Sequence, residues 1–125
     1  MIDDRDREAL DAYSEAVTAV VQQILPSVAS LRVRSRLGDG AGSASVLTGD
    51  GFLLTSAHVV DGANTVLAAF ADGNEVTADV VGRDAFSDLA VLRARGDVPS
   101  PVALGDASKL QVGQLVIAVG NPLGL

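Results

Sequence analysis

The sequence predicts a small, mainly β protein, an antiparallel barrel or sandwich with a helix only at its N-terminus. About seven short apolar or alternating segments follow residue 27, and tight-turn sequences such as Asp50-Gly51 separate neighbouring segments. Only the first 25 residues carry a helical period of apolar side chains. Closure into a barrel removes the exposed strand edges that would otherwise pair with other chains.

Length and composition limit the possible classes of protein. The chain has 125 residues, enough for one domain with a single core, or for half of a larger domain. It is 48% hydrophobic but only 3% aromatic, so the core must be built from Val, Leu, Ile and Ala. The net charge is −7 and the basic residues are scattered, which argues against nucleic acid as a partner.

Several chemistries are disfavoured by residues that the sequence lacks. It contains no cysteine and one histidine, so disulfides, thiolate chemistry and a zinc site are not expected, and we predict no metal or cofactor. No run of eighteen apolar residues predicts a membrane span. The opening "MIDDRDREAL" lacks the apolar centre of a secretory signal, which leaves the localisation unknown.

An amphipathic helix is predicted over residues 3–25. Its apolar residues recur with 3-4-3-4 spacing and form a single stripe: Leu10, Tyr13, Val17, Val20 and Ile24. Acidic residues in the first turns favour the positive end of the helix dipole, and Pro26 ends the helix. The stripe is equally suited to packing on the chain's own barrel and to a contact between subunits.

The strands are predicted from alternating or apolar segments that turn sequences separate. Residues 30–36 alternate apolar and basic side chains, as a half-buried strand should. Asp50-Gly51 and Asp72-Gly73 predict hairpins. The remaining predicted strands cover residues 38–47, 52–56, 64–70, 75–82, 88–94 and 114–120.

The single histidine, His58 in "LLTSAHVV", is the main candidate for chemistry. A lone histidine is usually structural, but this one lies where a strand gives way to a turn, a position from which scaffolds present reactive groups. Asp88 interrupts apolar sequence at a strand start in "FSDLAVL", and its carboxylate could accept the imidazole Nδ1–H and fix the tautomer. Asp61 and Asp84 are alternative partners, and sequence spacing does not decide among the three.

Ordered motifs across residues 24–125 resemble those of HtrA-type, trypsin-like serine proteases. They are "LPSVASLRV", "GSASVLTGDGFLLTSAHVV", "SDLAVL" and "LGDASKLQVGQLVIAVGNPLGL". The resemblance implies a pair of six-stranded antiparallel barrels with the active site between them, of which residues 26–125 match the first and residues 1–25 precede it. It also implies that His58 is the general base, that Asp88 orients it, that substrates are unfolded proteins or peptides, and that the protein works in the bacterial envelope.

One part of the family pattern is absent from this sequence. The resemblance places the nucleophile in a GNSGG motif on the second barrel, whereas Gly120-Asn121 is followed here by Pro122. None of the candidate serines has the sequence context of a nucleophile: Ser43, Ser45, Ser56 and Ser87. We therefore expect two members of a Ser-His-Asp triad without the serine or the oxyanion hole, and no peptide-bond hydrolysis by this chain alone.

Two further functions are compatible with the sequence besides the protease half. A protease-derived barrel could act as a binding or assembly module in which His58 is a relic, and an unrelated small barrel could bind a ligand. Retention of both His58 and Asp88 in their motifs favours the protease. The barrel face that would pack against a second barrel should expose apolar surface. We therefore also expect self-association through that face or through the Leu10–Ile24 stripe.

Overall fold

The structure is a computed structural model that describes residues 2–122 and 124. Six antiparallel strands close into a barrel in the order β1-β2-β3-β6-β5-β4, and one helix precedes them. The elements are α1 (Asp4–Ile24), β1 (Val28–Ser35), β2 (Gly38–Val46), β3 (Phe52–Ser56), β4 (Thr65–Ala69), β5 (Glu75–Asp84) and β6 (Leu89–Ala94). The predicted mainly β barrel with an N-terminal helix is confirmed.

The barrel interior is filled by small aliphatic side chains. Along β1 the inward Leu31 and Val33 are buried while the intervening Arg32 is exposed, which is the alternation that the sequence predicts. Leu53 and Leu92, on the paired strands β3 and β6, are fully buried beside them. The buried apolar residues in the described part of the chain are Val, Leu and Ala apart from Phe70, as the composition predicts.

Both predicted Asp-Gly hairpins form. Gly51 and Gly73 have φ values of 104° and 90°, in the left-handed region that glycine adopts without a Cβ penalty. The Phe70 amide donates to the Asn74 carbonyl at 2.8 Å and closes the β4–β5 hairpin. These turns set the register of strands that are adjacent in sequence.

Helix α1 begins and ends close to its predicted limits but does not join the core. The carboxylate of Asp3 caps it by accepting the Asp6 amide at 2.9 Å, and the chain enters β1 through a short 3-10 turn that contains Pro26. No residue of α1 is buried, and Leu10 and Tyr13 are 52% and 56% exposed. The barrel therefore leaves the first half of the apolar stripe uncovered. Among the described helices, none combines the length and apolarity needed to cross a membrane.

The prediction of a strand over residues 114–120 is wrong. This segment is extended but belongs to no sheet in the described part of the chain. The reason is topological: β1 pairs with β4 as well as β2, so the barrel closes with six strands and offers no edge to a seventh. The segment's end is instead attached to the barrel, where the Asn121 amide donates to Ser43 Oγ at 2.7 Å.

Candidate active site

The candidate site lies at one end of the barrel, where β3 ends and β6 begins. These strands pair antiparallel, with Ser56 opposite Leu89. Residues that directly follow β3 therefore lie beside residues that directly precede β6. His58 belongs to the 3-10 turn Ala57–Val60 after β3, and Asp88 is the residue before β6.

Asp88 makes three hydrogen bonds to the turn that carries the histidine. Its Oδ2 lies 2.7 Å from His58 Nδ1, its Oδ1 accepts the His58 amide at 2.9 Å, and its carbonyl accepts the Ala57 amide at 3.0 Å. Because an ionised carboxylate only accepts hydrogen bonds, Nδ1 carries the proton in the neutral ring. The Nε2 lone pair is then available to accept a proton from another group.

The backbone of Asp88 adopts an uncommon conformation that makes these three contacts possible. Its φ is 56°, and it is the one non-glycine residue with a positive φ in the described part of the chain. Aspartate tolerates this left-handed region better than most residues, because its short polar side chain can hydrogen-bond locally. In this conformation the carbonyl oxygen and both carboxylate oxygens of Asp88 face the turn that carries His58.

The electrostatics of the pair keep the carboxylate ionised. The backbone N–H of His58, followed by the imidazole hydrogen bond, holds the pKa of Asp88 below the ordinary carboxyl value of 3.8. The side chains of His58 and Asp88 are 73% and 48% exposed, so the imidazole is open to a group that approaches from outside the chain. The pair can orient a base and accept a proton, but it contains no nucleophile.

The other predicted partners for the histidine are placed differently. Asp84 accepts the Phe86 amide at 3.1 Å and the Ser87 hydroxyl at 2.9 Å, so it closes the turn before Asp88. Asp61 is exposed and follows the 3-10 turn. Of the three carboxylates that the sequence left open, only Asp88 hydrogen-bonds to His58 in the described structure.

None of the four candidate serines bonds to the imidazole within residues 2–122 and 124. Ser43 Oγ accepts the Asn121 amide, and the Ser87 hydroxyl is occupied by Asp84. Ser45 and Ser56 lie on β2 and β3. In the same part of the chain, no three His, Cys, Asp or Glu side chains are grouped so that they could hold a metal ion.

Two residues near the site have no feature in the sequence that would mark them as functional. Arg83 on β5 lines a depression of about 190 Å³ beside the imidazole, together with Ala57, His58, Asp61, Ala85 and Asp88. Gly42 on β2 packs against Val59, the residue after the histidine. Gly42 lies in the glycine-rich stretch that the sequence shows before β3, but its contact with Val59 depends on the closed barrel.

A closed antiparallel barrel with a histidine hydrogen-bonded to an aspartate at one end is the arrangement that the resemblance to trypsin-like serine proteases implies. Comparison with known proteins supports this class, since residues 42–125 match the trypsin-like peptidase domain. The chain belongs to the trypsin-like peptidase family, and within it corresponds to the N-terminal part of an HtrA-like protease domain.

Relatives of known sequence and structure are of the same type. The chain is 44% identical over 84 residues to a probable periplasmic serine endoprotease DegP-like of Halomonas elongata, and 44% identical over 89 residues to the serine protease Do-like HtrA of Bacillus subtilis. These matches cover 67% and 68% of this chain but only 18% and 20% of the relatives. The chain therefore spans about a fifth of the length of these relatives.

Solved structures match over a similar share of the chain. The HtrA-type protease AlgW with tripeptide superimposes with a TM-score of 0.70 and 33% identity, over 76% of this chain and 31% of that one. A serine endoprotease from Yersinia pestis gives a TM-score of 0.60 and 29% identity, over 68% and 30% of the two chains.

Proposed function

We propose that residues 26–125 form the first of two barrels of an HtrA-like serine endopeptidase, in which His58 is the general base and Asp88 orients it. The observation that carries this proposal is the 2.7 Å contact between His58 Nδ1 and Asp88 Oδ2, at the end of the barrel where β3 ends and β6 begins. The backbone hydrogen bond from His58 to the same carboxylate supports it, because it keeps the carboxylate in place as the ring gains or loses a proton.

The proposed reaction is acyl transfer from a peptide bond of an unfolded or peptide substrate to a serine. As that serine attacks the scissile carbonyl, His58 Nε2 takes its proton, and the Asp88 carboxylate stabilises the imidazolium that forms. The imidazolium then returns the proton to the leaving amine. A water molecule repeats the sequence to release the acyl group.

In this proposal the nucleophile and the oxyanion donors come from a second barrel. The four candidate serines of this chain have other hydrogen-bond partners or lie on strands, which supports the expectation that the chain alone is inactive. Loss of the serine from such triads lowers turnover by about 10⁶. A base and its orienting carboxylate cannot compensate for that loss.

The test uses the complete product of the gene, with any coding sequence downstream of Leu125, in a casein-cleavage assay. We expect His58→Ala to lower kcat by about 10⁴-fold or more, and Asp88→Asn by about 10⁴-fold. Asp97→Asn is the matched control, since Asp97 is an exposed aspartate after β6 that does not hydrogen-bond to His58 or Asp88 in the described structure. Proteolysis that survives His58→Ala would exclude His58 as the base.

A second function, self-association, is favoured by the exposed apolar side chains. Leu10 and Tyr13 on α1 are exposed, and the segment after β6 exposes several more: Leu104, Leu110, Val112, Leu115 and Val116. We propose that copies of the chain associate through the helix or through this segment. Size-exclusion chromatography with light scattering should show oligomers that Leu10→Ser with Tyr13→Ser weakens if the helix forms the contact. A monodisperse monomer at high concentration would contradict the proposal.

A further inference from the structure

Arg83 reaches from β5 to the far end of the segment that carries His58. Its Nη1 donates to the Val60 carbonyl at 3.2 Å, and its Nη2 donates to the Ala63 carbonyl at 2.6 Å. The Ala63 amide also donates to the Val60 carbonyl at 3.0 Å, so residues 60–63 form a closed turn. One planar guanidinium therefore bridges both ends of that turn.

An irregularity in β5 brings Arg83 to this position. The β5–β6 register shifts between Val80, which pairs with Leu92, and Gly82, which pairs with Val91, so Val81 is an extra residue. A bulge of this kind bends the strand and redirects the side chains that follow it. After the bulge Arg83 pairs with Ala90, two residues beyond Asp88. The same corner of the barrel thus supplies both Asp88 and Arg83.

The two residues act on opposite ends of one segment. Asp88 holds the amides of Ala57 and His58, where the segment leaves β3. Arg83 holds the carbonyls of Val60 and Ala63, where the segment turns toward β4. A ring on a segment fixed at only one end could rotate away from the carboxylate, whereas fixing both ends restricts its position.

We infer that Arg83 is a positioning residue for His58, keeping the imidazole within hydrogen-bond reach of Asp88. This inference rests on the proposed function for its catalytic meaning. Arginine suits the role because its rigid fork presents two parallel donors, which the single ammonium of lysine does not. No carboxylate of the described residues forms an ion pair with Arg83, so its donors are directed at the two carbonyls.

The test uses the 125-residue chain with ¹⁵N-labelled histidine, because a single histidine gives one unambiguous imidazole spectrum. The wild type should show the tautomer protonated at Nδ1, with slow exchange of that proton. Arg83→Met should speed the exchange by about fivefold to thirtyfold, the effect of losing one to two ordinary hydrogen bonds. It should also lower the fraction of the Nδ1–H tautomer. Arg83→Lys, which can keep one bond, should fall between the two.

Arg95→Met is the matched control, since Arg95 is an exposed arginine that pairs with Asp79 away from the histidine. It should leave the imidazole signals unchanged. A folded Arg83→Met variant with the wild-type imidazole spectrum would overturn the inference. If Arg83→Met does not fold, Arg83→Lys provides the test instead. Exchange of the Nδ1 proton at the wild-type rate in Arg83→Lys would overturn the role of the paired donors.

The inference and the proposed function can fail separately. The spectra report whether Arg83 positions the ring, whatever the ring does. In the complete gene product, Arg83→Met should lower kcat with little change in KM, because in this proposal Arg83 acts through the position of the base and its donors are directed at carbonyls of the chain itself. An altered spectrum in a protein whose proteolysis does not depend on His58 would leave the positioning role intact and refute the catalytic one.

Discussion

The contact between Gly42 and Val59 leads to a quantitative prediction for Gly42→Ala. A Cβ at Gly42 would lie 2.5 Å from Val59 Cγ1, 2.8 Å from Val59 Cγ2 and 3.3 Å from Val59 Cβ. Atoms this close must move apart. Valine is branched at Cβ and restricted in χ1, and its Cβ itself would lie 3.3 Å from the new carbon, so rotation of the side chain alone does not remove the crowding. The strain should pass into the 3-10 turn that carries His58.

We expect Gly42→Ala to lower the free energy of unfolding by about 1–3 kcal/mol, the usual cost of inserting a carbon into a packed site. Gly40→Ala is the matched control on the same strand, because its Cβ would come no closer than 4.0 Å to the Val59 carbonyl oxygen. With no steric cost, Gly40→Ala should change stability by less than about 1 kcal/mol. Urea denaturation at constant pH measures both.

A double variant separates the steric cause from other effects. Val59→Ala removes both Cγ atoms that Gly42→Ala would strike. The pair of substitutions should therefore destabilise the chain by less than the sum of the single ones, which a double-mutant cycle measures. If Gly42→Ala proves as stable as Gly40→Ala, the close packing of Gly42 on the histidine turn is incorrect.

Two further predictions concern the pH dependence of stability and the segment after β6 (residues 95–122). Because the folded state lowers the pKa of Asp88, its carboxylate contributes stability above the ordinary value of 3.8, and this contribution is lost as the pH falls through the lowered pKa. The stability difference between wild type and Asp88→Asn should hence be largest near neutral pH and shrink below about pH 4 in urea titrations. Ser43→Ala removes the acceptor for the Asn121 amide and should lower the free energy of unfolding by about 1 kcal/mol in the same assay. Unchanged stability would mean that the segment after β6 is not held there.

The parts of the fold that could be predicted from sequence are those that local patterns determine. The alternation in residues 30–36, the hairpins at Gly51 and Gly73, and the end of α1 before Pro26 each depend on near neighbours, and each is present in the structure. The error at residues 114–120 has a non-local cause. Their pattern suits a strand, but β1 already pairs with β4, and nothing within seven residues can reveal that closure.

The residues of the candidate site also divide into those that local sequence patterns predict and those that depend on the closed barrel. His58 and Asp88 could be proposed because each interrupts an apolar segment at a strand terminus. The choice among Asp61, Asp84 and Asp88 required the register of β3 against β6, which joins residues thirty apart. Arg83 could not be predicted, because in the sequence it is one arginine among several. Its position depends on the bulge in β5 and on the path of the chain after β3.

The hydrogen bonds of Asp88 predict that a carboxylate, and not its amide, is needed to hold His58 in the Nδ1–H tautomer. Two donors face the side chain, the His58 amide at Oδ1 and Nδ1–H at Oδ2. Asparagine offers one acceptor and one donor group in the same shape. If its oxygen accepts the His58 amide, its NH₂ faces Nδ1, which must then act as an acceptor. The ring proton moves to Nε2, and the lone pair that a base needs is lost.

The other orientation of the asparagine also fails to satisfy both donors. If the amide oxygen accepts Nδ1–H, the NH₂ group faces the His58 backbone N–H, and two donors oppose each other. Asp88→Asn should therefore either invert the tautomer in ¹⁵N spectra or expose the His58 amide to hydrogen exchange, while the barrel stays folded. Retention of both the Nδ1–H tautomer and amide protection would show that the tautomer does not depend on two carboxylate oxygens, and the orienting role of Asp88 would be refuted.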